Sequence, residues 1–489
     1  MRLTTLRTQT RRWGLLVIML VALALIVWRP EPIPLTADEG WSKWMSGLDW
    51  HTLFAAVRAY EFHPPLYYGL LKLWREVAGS DALALRLPSV VAGLGLVVVA
   101  YRCAARLGVP PLGAAALVAV QRLLIVTDRL ARPYALFDLA VAGTLLVVLH
   151  LPEKRPTRAF WFGYVIGLEA VLWLHALGMF YAFALALALL LMIDLKQHWR
   201  AYCAVHLLAG ALYLPCLYLL WLQHQNRGAI WLVFNWAEVI PNLAEAFTGE
   251  RNPPVLWLTL GLALIGGLAL NLRNRGRAAL ALAGVALVPI LFEIGISATA
   301  TPVFLMRYVT PSILPILLLV TASLAYHPLR RVMPVAFAIV LALFGAATYR
   351  ELIRPPEEKW DQIAGFLSAH VAGDEEVWVV PNDLITHIGN NGPVPTRFIE
   401  LPVPFPPPGD PLAQPKGTLA VPPLDAAHMA QAVALLQRRH PKGLWLVSSH
   451  PWLLDPQDVR HAVLRRIAVQ QGAVVNISPV TIEHWRLAR

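Results

Sequence analysis

Residues 13–29, WGLLVIMLVALALIVWR, decide the class of this protein. The stretch is apolar over close to the ~20 positions that a helix needs to cross the hydrocarbon core of a bilayer. Arg2, Arg7, Arg11 and Arg12 precede it, no small-residue cleavage site follows it, and runs of equal strength lie downstream. It therefore reads as a retained anchor and not as a signal peptide. Working outward, further apolar runs lie near residues 84–106, 112–127, 133–150, 159–174, 176–194, 201–222, 255–271, 278–298, 308–326 and 331–349. Together they predict about eleven transmembrane helices.

The composition agrees. Of 489 residues 57% are hydrophobic and only 15% charged, the mean hydropathy is +0.56, and there are 18 Trp, which is too apolar for a soluble domain. The expected class is a polytopic α-helical membrane protein. The connecting charges alternate: the N-terminal arginines, Arg102 with Arg106, Lys154 with Arg155 and Arg158, Lys196 with Arg200, Arg273 with Arg275 and Arg277, and Arg330 with Arg331 fall on one side. By the positive-inside rule that side is cytoplasmic. The net charge of +11 is then an orientation signal, and no nucleic-acid footprint is needed to explain it. An odd number of spans sends residues 351–489 to the outer side, with the loops 30–83 and 223–254 and the turns near 128–132 and 299–307. Cys103, Cys203 and Cys216 all fall in predicted spans, so the external tail has no disulfide framework.

The tail changes character. A helical pattern starts at Trp360, Val377–Val380 reads as a strand, Met429–Arg439 is amphipathic, and Leu444–Val447 is a second short apolar run. Alternating helices and strands predict a small external α/β domain over residues 351–489, appended to a membrane domain over residues 1–350. The prolines of Leu401–Pro408 (LPVPFPPP) exclude regular structure there and favour an extended connector.

There is no Walker loop, no dinucleotide-binding glycine fingerprint and no HExxH. Gly93 and Gly95 lie inside a span, where glycines serve helix packing. Asn476-Ile477-Ser478 matches a glycosylation acceptor, a triplet common by chance. The chemistry-bearing residues gather on the expected outer face. Asp38 and Glu39 follow the first span; a partly desolvated carboxylate has a raised pKa, a like-charged neighbour pushes it the same way, and the group becomes a general base. The plainer reading of the pair is a solvated helix end. In His63-Pro64-Pro65 the two prolines fix the backbone and aim His63, or they merely start the amphipathic helix Leu66–Val77. Glu169 and Glu293, toward the outer ends of spans, and Asp138, within the fourth, would each cost about 2.5–3.5 kcal/mol to insert. They are expected to face a polar cavity or to neutralise arginines.

Taken in order, ADEGW (37–41), HPPLYYGLLKLW (63–74), ALRLPSVVAG (84–93), DRLARPYAL (128–136) and PVFLMRYVTPSILP (302–315) resemble the GT-C glycosyltransferases. The similarity is to the branch holding the protein O-mannosyltransferases, the lipid A aminoarabinose transferase and the bacterial RgtA/B/C/D-like enzymes, and it covers most of residues 13–350. It implies a GT-C fold and inverting transfer of a sugar from a polyprenyl-phosphate donor to a hydroxyl of a glycan, lipid or protein. An acidic residue of the first external loop is the family's base, and this maps onto Asp38, with Glu39 in support; such help is worth roughly 10² to 10⁴ in rate. Arg132 and Arg307, each before a span at its external end, are the expected donor-phosphate ligands, with Arg129, Lys72 and His63 next. Their plainer role is snorkelling to head groups. Asp128 and Tyr134 are candidates for contact with acceptor or metal, and the resemblance leaves a divalent metal open. The implied setting is a bacterial inner membrane with the N-terminus cytoplasmic and the tail periplasmic.

Two other classes compete. A lipid-linked-sugar transporter or flippase would place ionisable residues at mid-membrane and show repeated halves with broken helices; this chain concentrates them at one face and shows no evident repeat. A non-catalytic sugar-lipid binding protein on the same fold has the same sequence signals. The orientation is directly testable: a reporter active only in the cytoplasm, fused after Arg489, is expected to be silent, and strong activity would overturn the odd span count.

Overall fold

The computed structural model describes residues 2–28, 33–151, 156–225, 234–380, 384–392, 398–400, 426–449, 455 and 457–488. The Leu401–Pro408 connector lies outside the described residues. Helix α1 (Arg2–Val27) exposes Trp13, Leu16, Val17 and Leu20 and buries Ala22 and Ile26. An apolar face left uncovered by protein is what a helix in lipid presents. Three amphipathic helices follow: α2 (Ala37–Gly47), α3 (Trp50–Tyr60) and α4 (Leu66–Ala78). Each of the first two starts at a polar cap, with Thr36 accepting from the Glu39 amide at 3.3 Å and Asp49 from the Thr52 amide at 3.1 Å. The expected helix at 66–77 is present, whereas α2 and α3 fill a stretch read as loop.

The long helix α5 (Ala82–Leu107) is capped by Asp81, which accepts from the Ala84 amide at 2.9 Å, and ends at Gly108 with φ 68°. Next, α6 (Pro111–Ala119) and α7 (Arg122–Asp128) meet at 65°. Gln121 makes that bend: its side chain accepts from the Leu124 amide at 2.8 Å and donates to the Ala246 carbonyl at 2.6 Å, so one apolar run becomes two short helices. The bundle continues with α8 (Tyr134–Leu149), α9 (Arg158–Leu174), α10 (Gly178–Met192), α11 (Leu195–Gln225), α12 (Trp236–Thr248), α13 (Pro253–Leu272), α14 (Gly276–Thr299), α15 (Ile313–Ala322) and α16 (Met333–Ile353). Every residue of α15 is buried, so it is the axis around which α13 and α14 pack.

Helix length and composition alone mark fewer spans than the eleven expected. Among the described residues five helices, α5, α11, α13, α14 and α16, are long and apolar enough to cross a membrane, and α6 with α7 make a sixth only as a bent pair. Arg12–Val27, α8, α10 and Thr310–Ala325 are apolar but shorter. Hydropathy counts apolar residues and is blind to side chains such as Gln121 that interrupt the helix. The chain is nonetheless an integral membrane protein by these helices.

Beyond α16 lie α17 (Trp360–His370), β1 (Glu375–Val380), α18 (Leu384–Asn391), β2 (Phe398–Glu400), α19 (Ala426–Arg439), β3 (Gly443–Ser449), α20 (Val459–Ile467), β4 (Ala468–Ile477) and β5 (Val480–Leu487). The strands form one sheet in the order β2-β1-β3-β5-β4, with β1 parallel to β2 and β3 and the β4–β5 hairpin antiparallel. Alternation along β1 divides the core: Trp378 and Val380 pack with Met429, Leu436 and Leu464, while Val377 and Val379 pack with Trp360, Ile363 and Leu367. The sheet is thus covered on both faces, as the α/β reading expects.

Close packing in the bundle gives a test. A Cβ on Gly266 would stand 1.8 Å from the Leu319 carbonyl oxygen, whereas one on Gly267 meets nothing within 4 Å. Gly266→Ala is expected to lower the melting temperature of the purified protein by several degrees, and Gly267→Ala to leave it unchanged or raise it through helix propensity. Equal effects would mean that α13 and α15 do not touch there.

Candidate active site

Asp38 and Glu39 are adjacent in the first turn of α2, yet about 100° of helical rotation sends them to different partners. Glu39 is fully buried and saturated. It receives Arg86 Nε and Nη2, each at 2.7 Å, the Ala131 amide at 3.0 Å and the Thr36 amide at 3.0 Å. Arg86 also donates to the carbonyls of Ile33 and Pro34 at 3.0 and 2.9 Å. Glu39, expected to support Asp38 as a second acid, is thereby occupied in tying α2 to α5 and to the turn before α8.

Asp38 faces a cleft of about 310 Å³ whose walls include Thr36, Arg86, Arg129, Arg307 and Glu358. Its Oδ2 accepts from Arg307 Nη1 at 3.0 Å, and the two side chains remain 40% and 30% exposed. Burial pushes the Asp38 carboxyl up, but the charges of Arg132, Arg307, His63 and His387 outweigh it and hold the group below its ordinary value. The expected rise is thus corrected to a fall, because positive charges surround Asp38.

The two arginines expected to act alike differ. Arg307 fronts the cleft, its guanidinium 5.7 Å from the Tyr134 ring centroid and 5.8 Å from that of Tyr308. Arg132 is buried behind Asp38, donating from Nη1 to Tyr68 Oη at 3.1 Å and to the Asp38 carbonyl at 3.4 Å, while its Nε has no partner among the described residues. Tyr68 in turn donates to Glu61, which also accepts from Trp41 Nε1 at 2.7 Å and from the His63 amide at 3.2 Å. Glu61 therefore shapes the His-Pro-Pro turn. His63 is buried with its ring 4.4 Å from His175 and edge-on to Tyr134 and Tyr308 at 6.4 and 6.2 Å.

Other expected ligands have different tasks. Arg129 reaches the cleft wall, but its Nε donates to the Ile26 carbonyl at 2.8 Å and its Nη2 to the carbonyls of Leu25 and Trp28, so it caps the C-terminus of α1. Lys72 is not brought to the cleft; it lies 3.8 Å from Glu76 and over the Trp50 ring at 5.5 Å. Asp128 is buried against Gly93, where an added Cβ would stand 2.1 Å from its Oδ2, and its Oδ1 has no partner among the described residues. Among the described residues no cluster of three or more His, Cys, Asp or Glu is placed to hold a metal. Asp138 accepts from Thr310 Oγ1 at 2.7 Å, Glu169 from Trp173 Nε1 at 3.0 Å, and both Glu293 oxygens are buried without a partner among the described residues. Among the described residues none of the three pairs with an arginine, contrary to one expectation. Sequence reasoning missed Glu61, Arg86, His175, Tyr308 and His387; only Arg86 and Tyr308 lay inside motifs already singled out.

No family model matches the sequence, and no curated protein matches it. Among solved structures, ArnT from Cupriavidus metallidurans in the apo state superposes with a TM-score of 0.57 at 13% identity, covering 98% of each chain. The fold is that of the GT-C glycosyltransferases. The same ArnT bound to undecaprenyl phosphate gives 0.53 at 14% identity, again over 98% of each chain. The arabinofuranosyltransferase AftD from Mycobacteria gives 0.52 at 18% identity, over 97% of this chain and 41% of that one. The GT-C fold implied by the motifs is therefore present in the bundle and tail together.

The cations around Asp38 make its titration a test of the site. Infrared difference titration of the Asp38 carboxylate band, identified by its loss in Asp38→Asn, is expected to place its midpoint below the ordinary carboxylate range. Arg307→Gln removes one of the lowering charges, so the midpoint is expected to move up. An unmoved midpoint would show that the ion pair does not govern the carboxylate.

Proposed function

We propose that this chain is an inverting glycosyltransferase that moves a sugar from a polyprenyl-phosphate donor to a hydroxyl of a glycan, lipid or protein at the outer face of the membrane. The observation that carries the reading is the Asp38–Arg307 pair, 3.0 Å apart and open to a cleft, on a GT-C fold. One side chain accepts a proton and the other holds an oxyanion, which are the two needs of displacement at an anomeric carbon. Residues 1–350 carry the reaction, and residues 351–489 stand outside the membrane with the cleft.

The pair explains how the base is kept in check. With no donor bound, Arg307 is neutralised by Asp38, and the carboxylate is a weak base. A phosphodiester entering the cleft competes for the Arg307 fork, whose planar geometry suits phosphate oxygens. As Arg307 turns to phosphate, Asp38 loses a stabilising partner and gains an anionic neighbour, and both changes raise its basicity. The acceptor hydroxyl then gives its proton to Asp38 as its oxygen bonds to C1. The bond from C1 to the phosphate oxygen breaks, and the lipid phosphate leaves with the electron pair, held by Arg307 and by the buried charge of Arg132. General-base help of this kind contributes roughly 10² to 10⁴ in rate.

The donor and acceptor are found by comparing envelope glycans of a deletion strain with those of its parent by mass spectrometry; one monosaccharide is expected to be missing. Purified protein is then expected to transfer that sugar from its polyprenyl phosphate. Asp38→Asn keeps the shape but takes no proton, so kcat is expected to fall by roughly 10² to 10⁴ with donor affinity little changed. Near-normal turnover in Asp38→Asn would sink the mechanism. Vectorial movement of intact lipid-linked sugar in vesicles, with no covalent transfer, would replace the enzyme by a transporter.

A further inference from the structure

Asp38 is the second residue of α2, so its position is set by where and how that helix begins. Two side chains from beyond α16 hold that beginning. Asn391, the last residue of α18, accepts from the Leu35 amide through Oδ1 at 2.8 Å and donates to the Leu35 carbonyl through Nδ2 at 3.1 Å. Its Nδ2 also donates to the His387 carbonyl at 2.9 Å, which fixes the carboxamide within α18. Glu358 Oε2 accepts from the Ala37 amide at 2.7 Å and from Trp360 Nε1 at 2.5 Å. A carboxamide matches a peptide group donor for acceptor, so two bonds to one residue fix its orientation as well as its place.

The helices are also in direct contact. Gly40 faces α18 so closely that a Cβ would stand 3.0 Å from His387 Nδ1 and 3.1 Å from Asn390 Nδ2. Glycine in a helix is costly relative to alanine, by about 1 kcal/mol, and here it is what admits α18 to the surface of α2. His387 in turn is among the charges that act on Asp38.

We propose that α18 is a working part of the cleft, and that Asn391 is a positioning residue that fixes the turn carrying Asp38 by bonding both backbone groups of Leu35. The C-terminal α/β unit is then required for turnover itself, beyond any part in docking. The inference rests on the reading of Asp38 as the base. Misplacing a reacting group by ~1 Å costs on the order of 10²-fold in rate, so small shifts of this turn matter.

Two variants attack the contact from opposite sides. Asn391→Ala removes both bonds to Leu35; Gly40→Ala wedges α18 away while improving helix propensity in α2. Turnover is measured with the donor and acceptor identified by the glycan comparison, normalised to sites that bind undecaprenyl phosphate, so that unfolded protein is not counted. In both variants kcat is expected to fall about tenfold or more, with the dissociation constant for undecaprenyl phosphate within about twofold of wild type. If kcat per binding site is unchanged in both, or if the loss appears as weakened binding of undecaprenyl phosphate, Asn391 does not position Asp38. Asp38→Asn is run in parallel. Its retention of activity would remove the base itself, whereas an inactive Asp38→Asn beside fully active Asn391→Ala and Gly40→Ala overturns only the role given to α18.

Discussion

The buried pair of Glu39 and Arg86 is the constraint on which the site depends. Glu39 has no exposure, Arg86 grips it with two nitrogens, and the remaining lone pairs take amides from Thr36 and Ala131. Three segments meet there: the start of α2, the first turns of α5, and the turn between α7 and α8. Removing one partner of such a pair leaves an uncompensated buried charge, a loss of about 3–5 kcal/mol. The pair's importance lies in geometry as much as in energy, because fixing Glu39 fixes its neighbour Asp38 on the open side of the same helical turn.

Charge in the cleft is spent before any ligand arrives. Arg122 is held by Glu245 at 3.0 Å and by Glu351 at 2.9 Å, Arg86 by Glu39, and Arg129 by the last carbonyls of α1. Arg307 differs, since its carboxylate partner, Asp38, remains 40% exposed at the cleft. The rigid pairs build the wall, and the Asp38–Arg307 pair stands open to the cleft.

Much of this was legible along the chain. Hydropathy is a local sum, so the apolar runs and the membrane class could be read without knowing any contact, and period-two and amphipathic patterns located α17, β1, α19 and β3. The motif-bearing residues Asp38, Arg132, Arg307 and His63 do come together. Where a helix breaks was not legible, because such breaks come from particular side chains: Gln121 satisfies the Leu124 amide and reaches Ala246, and no average over a window contains that information.

What the sequence by itself determined, then, is which segments are apolar, which residues could carry charge at their ends, and the order in which these occur. The tertiary structure decided what each charge is for. Asp38 and Glu39 are one residue apart and chemically alike, but helical rotation gives one Arg307 at the cleft and the other Arg86 in the interior. Arg129 and Arg132 stand in one motif, yet one caps α1 and the other lies behind Asp38. Asn391 carries no signal in the chain at all; it matters because the fold lays it on Leu35, 356 positions away. An ionisable group's role follows from the charges and dipoles within a few ångströms of it, and those come from segments whose distance along the chain says nothing of their distance in space.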